Sequence, residues 1–443
     1  MTIRNRIFFL ISFSISILLL IYTFYRSEIV YNGNSRDTFY FYYIISLVIL
    51  FISIVILFVN KKLREYLIIS TISIFASLYL FELYLTYNSI VYTDISPIVK
   101  MRAKKLYSQD GKKYDVRTPY KIYTDLKKID PEITLRVYPK VFYNEEELYP
   151  LSGISNSKTI LCNESGYYSH YHSDRFGFNN PDKEWDSSHI EYLLIGDSFT
   201  HGSCVNRPND IASVLRNLSN KSVINLGMGG NGTLIEYASL REYLNTNVSK
   251  VLLLFVENDL KNFDKEIKNK ILKKYISDEK FTQNLKENQS DINRMVRKKI
   301  DSHLPSHQFK SRALGFVKLT NLRVLTYKKK LNSSTSQEQE NEVLTEFRKL
   351  LLLIKKLTNE NNSKFYFIYL PPSFRYNNPK YISNHNLVEK IVKDLDIEFL
   401  DMHKEVFAKE LDPLKLFPFG LHGHYNVEGY NKVANQIYKL TKK

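Results

Sequence analysis

Three apolar runs crowd the start of the chain: "IFFLISFSISILLLIYTFY" (7–25), "FYFYYIISLVILFISIVILFV" (39–59) and "YLIISTISIFASLYLFELYLT" (66–86). A run of about 20 apolar residues crosses the hydrocarbon core as a helix. Lipid offers no partner for backbone N–H and C=O groups, so these segments are constrained to be helices. The third run carries Glu82 near its end, where a carboxylate can reach the interface. The first lacks a small-residue cleavage site and is followed by more apolar runs, so it reads as an anchor and not as a removable signal peptide. Arg4 and Arg6 precede the first span, and Lys61, Lys62 and Arg64 lie between the second and third; the loop between the first two holds only Arg26 and Arg36. By the positive-inside rule the N-terminus and the "KKLR" loop face the cytoplasm. The expectation is a multi-pass inner-membrane protein, anchored by 1–88, whose large C-terminal part is periplasmic. Lys100, Arg102, Lys104 and Lys105 oppose this, but long domains translocate largely regardless of charge. With only two spans the same part would face the cytoplasm.

Residues 89–150 are polar, Tyr-rich and Lys-rich without a clear period and read as a stalk. From about 190 apolar runs of strand character alternate with helical stretches. The strands are "IEYLLI" (190–195), "SVINL" (222–226), "KVLLLFV" (250–256), "KFYFIYL" (364–370) and "IEFLD" (397–401). Helical stretches lie at 210–220, 234–247 and 343–361, and a last amphipathic one at 427–443. Runs apolar on both faces and separated by helices predict a parallel sheet covered on both sides. A charged insertion of weak helical period interrupts the pattern over 260–342.

The 443 residues carry a formal net charge of +16, a balance that suits anionic surfaces, acidic glycans or nucleic acid. No nucleic-acid-binding signature accompanies it, and the lysine runs fall in polar helical or linker stretches, so nucleic acid is not expected as a partner. Two cysteines, Cys162 and Cys204, are too few for a disulfide scaffold and wrongly spaced for zinc. Outside the cytoplasm they could bridge; otherwise they are two buried thiols.

In open parallel sheets, ligands sit beyond the carboxyl ends of the strands. After the first strand comes Gly196-Asp197-Ser198; after the second, "NLGMGGNGT" with Asn225, Gly227 and Gly230; after the third, Glu257, Asn258 and Asp259. His422 and His424 follow near the C-terminus in "HGHYNVEGY". Each piece alone is an ordinary turn, cap or structural histidine. Their order after successive strands is the informative feature.

Taken in that order, the four blocks resemble those of the SGNH, or GDSL-type, hydrolases over about 155–443. "SDRFGFNNPD" (173–182) is similar to the lead-in of membrane-anchored bacterial members. The resemblance implies a flavodoxin-like three-layer α/β/α sandwich with a parallel sheet, and ester or acyl chemistry without a cofactor or metal. It makes Ser198 the nucleophile, His424 the base, and Gly230 and Asn258 donors of the oxyanion hole, with the Ser198 N–H beside them. A serine hydroxyl is a weak nucleophile until an imidazole takes its proton, and the tetrahedral intermediate needs fixed donors.

Two positions depart from the pattern. The family has an Asp two or three residues before the base, where this chain has His422 and Leu421; moving the base to His422 puts Phe419 there instead. Either Asp401, Asp412, Glu428 or a backbone carbonyl takes the role of the acid, or a Ser-His dyad operates, or the enzyme is impaired. Val256 also replaces a glycine in the third block. "SHYHSD" (169–174) sets His170 and His172 beside Asp174 without a third ligand, and His201 follows Ser198 by one helical turn. The leading expectation is an outward-facing esterase acting on acylated envelope glycans or lipids. The alternatives are an O-acyltransferase working with a polysaccharide-assembly partner and a scaffold that kept the fold without the chemistry.

Overall fold

The computed structural model describes residues 3–442 apart from 31–32, 34–35, 92–95, 245–246, 303–312, 323–336 and 379–382. The chain divides into two compact units, Met1–Thr93 with Lys310–Asn332, and Asp94–Phe309 with Ser333–Lys443.

In the first unit, helices α1 (Ile3–Phe24), α2 (Arg36–Phe58) and α3 (Lys61–Val91) form from the three apolar runs. Three stretches are long and apolar enough to cross a membrane: Asn5–Val30, which runs from α1 into a π-helical segment (Tyr25–Val30), Phe39–Phe58 in α2 and Lys61–Tyr87 in α3. The Ser53 hydroxyl donates to that of Ser12 at 2.7 Å. The Arg64 guanidinium ties off the turn after α2 through the carbonyls of Ile56 and Val59. Glu82 departs from expectation. Instead of reaching an interface it is buried, accepting from the N–H groups of Asn321 and Leu322 at 2.9 and 2.8 Å and from the Asn321 amide at 3.0 Å. Part of the insertion, the stretch 313–322, therefore satisfies a carboxylate of α3.

The second unit opens with helix α4 (Pro97–Asp110), ended by Gly111 in the left-handed conformation. A small sheet follows: β1 (Thr134–Leu135) pairs in parallel with β2 (Lys158–Ile160), which pairs antiparallel with β3 (His170–His172). The region read as a stalk is thus part of the folded domain. Ile122, Tyr123, Ile133, Leu135, Val137 and Phe142 are buried in its main core, their apolar side chains spaced too irregularly to announce an element.

The main sheet comprises β4 (Ile190–Gly196), β5 (Val223–Asn225), β6 (Val248–Phe255), β7 (Lys364–Tyr369) and β8 (Glu398–Asp401). All four pairings are parallel, in the order β5-β4-β6-β7-β8. The first strand thus lies inside the sheet, with the chain winding outward on both sides of it, as the flavodoxin-like expectation required. Side chains alternate across the sheet. Leu193, Ile195, Leu253, Phe255 and Phe367 face one core, with the helices Thr233–Tyr243 and Gln337–Glu360. Tyr192, Leu194, Leu252, Leu254 and Ile368 face the other, with Ile211–Ser219 and Val427–Thr441. Helices Lys270–Ser277 and Gln289–Ser302, from the charged insertion, put Ile271, Leu272, Ile292 and Val296 into the first core. That part of the insertion belongs to the domain itself.

Candidate active site

β4 delivers Gly196, Asp197 and Ser198 to its carboxyl end beside the switch in strand order. A Cβ on Gly196 would lie 2.1 Å from Thr200 Oγ1 and 2.7 Å from the Leu254 carbonyl, so only glycine lets the chain turn there. Asp197 caps the short helix Ser198–His201, accepting from the Phe199 N–H at 2.9 Å. Beyond β5, the Asn225 side chain accepts from the Gly227 N–H at 2.8 Å and donates to the Thr200 carbonyl at 2.6 Å. Those two bonds moor the glycine-rich turn to the helix of Ser198. Beyond β6, the Asn258 amide donates to Asp197 Oδ2 at 3.1 Å, which brings it to the same rim. Val256, at the position of the missing glycine, is fully buried, with its N–H on Asp259 Oδ2.

His424 arrives from the loop before the last helix. Asn426 caps that helix by accepting from the Gly429 N–H at 2.9 Å, which accounts physically for the His-x-Asn-x-x-Gly spacing. Neighbouring Tyr425 is buried against Phe199, ring centroids 4.7 Å apart, locking the loop to the helix of Ser198. His424 Nε2 and Ser198 Oγ are 2.8 Å apart; Asp197 Oδ2 is farther from that hydroxyl, at 3.2 Å.

The far side of the imidazole faces Glu164. One carboxylate oxygen is 3.2 Å from His424 Nδ1, and the other accepts the His424 backbone N–H at 2.7 Å. A carboxylate on Nδ1 fixes the tautomer, leaving Nε2 free to accept the serine proton. Arg102, from α4, stands behind, 3.5 Å from Glu164 and donating to the His422 carbonyl. Burial pushes Glu164 upward, but the His424 charge and hydrogen bond, with Arg102, outweigh it and hold the group at about 2. Sequence reasoning missed this residue because it weighed only carboxylates of the C-terminal stretch 401–428, and Glu164 lies 260 positions before the histidine.

The three carboxylates considered as acids have other partners. Asp401 bonds His385 Nε2 at 2.8 Å, Asp412 caps a short 3-10 helix through the Leu414 N–H, and Glu428 faces Lys432 and Lys415. Among the described residues Glu164 is the only carboxylate paired with His424. A signal existed in the cysteines. Cys162 and Cys204 form a disulfide, which fastens the turn between β2 and β3, where Glu164 lies, to the loop after the helix of Ser198. Gly230 sits at φ +77° in the glycine-rich turn, with Lys140 against it. His201 lies behind the site, fully buried edge-on to Tyr171, and burial pulls it down to about 3, so it is neutral. His170 and His172 share the exposed face of β3, while Asp174 turns inward to accept from Trp185, Asn180 and two backbone N–H groups.

No protein-family model matches the chain, and no curated protein does. Among solved structures it is similar to a putative lipolytic protein of the G-D-S-L family from Desulfitobacterium hafniense, at 14% identity and a TM-score of 0.29, over 57% of this chain and 99% of that one. It is also similar to the acetyl xylan esterase AlAXEase, at 14% identity and a TM-score of 0.32, over 57% of this chain and 100% of that one. Both likenesses are distant, and the fold stands on the strand order and register given above.

Proposed function

We propose that this protein is a membrane-anchored serine esterase of the SGNH type, with Ser198 as nucleophile, His424 as base and Glu164 as the acid that orients the base. The observation that carries this reading is the run of contacts Ser198–His424–Glu164, with 2.8 Å at the first step and 3.2 Å at the second. Ser198 Oγ attacks the ester carbonyl as its proton passes to His424 Nε2. The resulting imidazolium is stabilised by Glu164. In this reading the Asn258 amide and the N–H groups of Gly230 and Ser198 serve as donors to the carbonyl oxygen, and loss of one such donor typically costs about 10²–10³ in kcat. The tetrahedral intermediate collapses with departure of the alcohol, which takes the proton back from His424. Water, deprotonated by the same nitrogen, then releases the acid and the free serine.

The impaired-scaffold reading depended on a missing carboxylate, and Glu164 removes its motive. Topology supports the substrate class: three spans with the basic loop on the cytoplasmic side would carry the domain outside, where acylated glycans and lipids are the accessible esters. The disulfide favours the same side, since such bonds persist in oxidising compartments. The test is hydrolysis of a chromogenic acetyl ester by the full chain in detergent. S198A is expected to lose activity by at least about 10³-fold, and undiminished turnover would overturn the assignment. Adding an acceptor glycan to the same assay measures how acyl groups partition between water and sugar, which separates an esterase from a transferase.

A further inference from the structure

The stretch "RVYPK" (136–140) leaves β1 and crosses the glycine-rich turn. Val137 and Pro139 point into the core, and Arg136, Tyr138 and Lys140 alternate outward. Tyr138 carbons lie 2.2 and 2.4 Å from where a Cβ on Gly229 would stand; the Lys140 ammonium is 2.9 Å from that point on Gly230. The Arg136 guanidinium stacks over the Tyr138 ring, 4.3 Å from its centroid. Two cations therefore flank the Tyr138 ring, and one of them, Lys140, stands against the glycine proposed as an oxyanion donor.

Neither has a carboxylate in ion-pair contact among the described residues. Arg102 and Arg216, by contrast, have Glu164 at 3.5 Å and Glu184 at 3.7 Å. Removing a cation from water without a counter-charge is costly. Burial pulls Arg136 down to about 10, opposed by Tyr171, Glu164 and Tyr168. Lys140, though exposed as a residue, is lowered by burial of its ammonium and by Lys265 and Arg136, against Asp197. Glu164 already serves His424 and Arg102, and Asp197 serves Phe199, Ser198 and Asn258, so neither is free to neutralise the pair.

We propose that Arg136 and Lys140, with Tyr138 between them, bind an anionic group of the substrate, making it an ester of an acidic glycan whose sugar carries a carboxylate or phosphate close to the acylated hydroxyl. This rests on the reading of Ser198 as nucleophile and narrows its substrate. A planar guanidinium matches the two oxygens of such a group, while the ammonium acts as a point charge.

The test reads binding without turnover, in full-length S198A protein in detergent, by calorimetry with O-acetylated oligogalacturonide and the neutral O-acetylated xylo-oligosaccharide. The acidic ligand is expected to bind at least about tenfold tighter, with the preference shrinking as salt rises. R136Q and K140Q, each added to S198A, are expected to bring that preference down toward parity, a loss of about tenfold, the lower end of the range for losing a hydrogen bond to a charged group. Lys140 is exposed, so its variant keeps the test open should R136Q fail to fold. Displacement by glucuronate assigns a carboxylate, and displacement by glucose 6-phosphate assigns a phosphate. Equal binding of the two glycans, a preference that survives both substitutions, or displacement by neither anion overturns the subsite. Hydrolysis that persists in S198A would instead overturn the nucleophile, a separate result.

Discussion

Glu164 precedes His424 by 260 positions, yet its two oxygens face that residue's ring and backbone N–H. Its charge, more than its shape, is what the imidazolium requires. E164Q keeps an oxygen for Nδ1 but no charge, and kcat is expected to fall about 10²–10⁴-fold with KM little altered. Steady-state kinetics on the chromogenic ester checks this; a fall in KM-dependent binding alone would assign Glu164 a merely structural role. Because the folded value of about 2 lies below the ordinary 4.5, the stability Glu164 contributes is present above 4.5 and lost as pH falls toward 2. His201, lowered from 6.5 to about 3, works in the same direction between those values, since the unfolded chain binds the proton first. The midpoint of thermal unfolding is therefore expected to fall from pH 6.5 downward, with E164Q flattening the curve below 4.5. Ser198, Gly230, Asn258 and His424 were legible because each lies in a short motif whose spacing is set by a local turn or cap. Glu164 had no such motif. Its position depends on a hairpin and a bridge, which are long-range facts.

The same division holds for elements. The five strands of the main sheet fall within a residue or two of the apolar runs, because burial on both faces leaves a continuous signal. The segment after the spans gave no such signal, since β1, β2 and β3 are two or three residues long. It nonetheless supplies Arg102, Lys140 and Glu164, and the Cys162–Cys204 bridge fixes its hairpin to the loop after Ser198 across 42 positions of chain. Replacing both cysteines by serine is expected to lower the unfolding free energy by about 2–4 kcal/mol. Because Glu164 is two residues from Cys162, the same variant should also lose kcat, and a reductant should reproduce the loss in the wild type. Denaturant titration and turnover, each with and without reductant, check the pair. Full activity in the reduced protein would mean that the hairpin holds Glu164 unaided.

For the whole molecule, three apolar helices of spanning length and the basic loop between the second and third predict which side of the bilayer carries the domain. Lys62 and Lys112 are exposed residues in the "KKLR" loop and in the domain respectively. With the native cysteines bridged, K112C is expected to react with a membrane-impermeant maleimide in cells whose inner membrane is intact, and K62C only after that membrane is opened. The reverse pattern would put the domain in the cytoplasm. The account as a whole turns on one activated hydroxyl, and active-site labelling by a fluorophosphonate, followed by intact mass and peptide mapping, tests it most directly. The wild type is predicted to take up one label at Ser198, H424A none on the same timescale, and E164Q one at a reduced rate. Labelling at another residue, or equal rates in all three proteins, would contradict it.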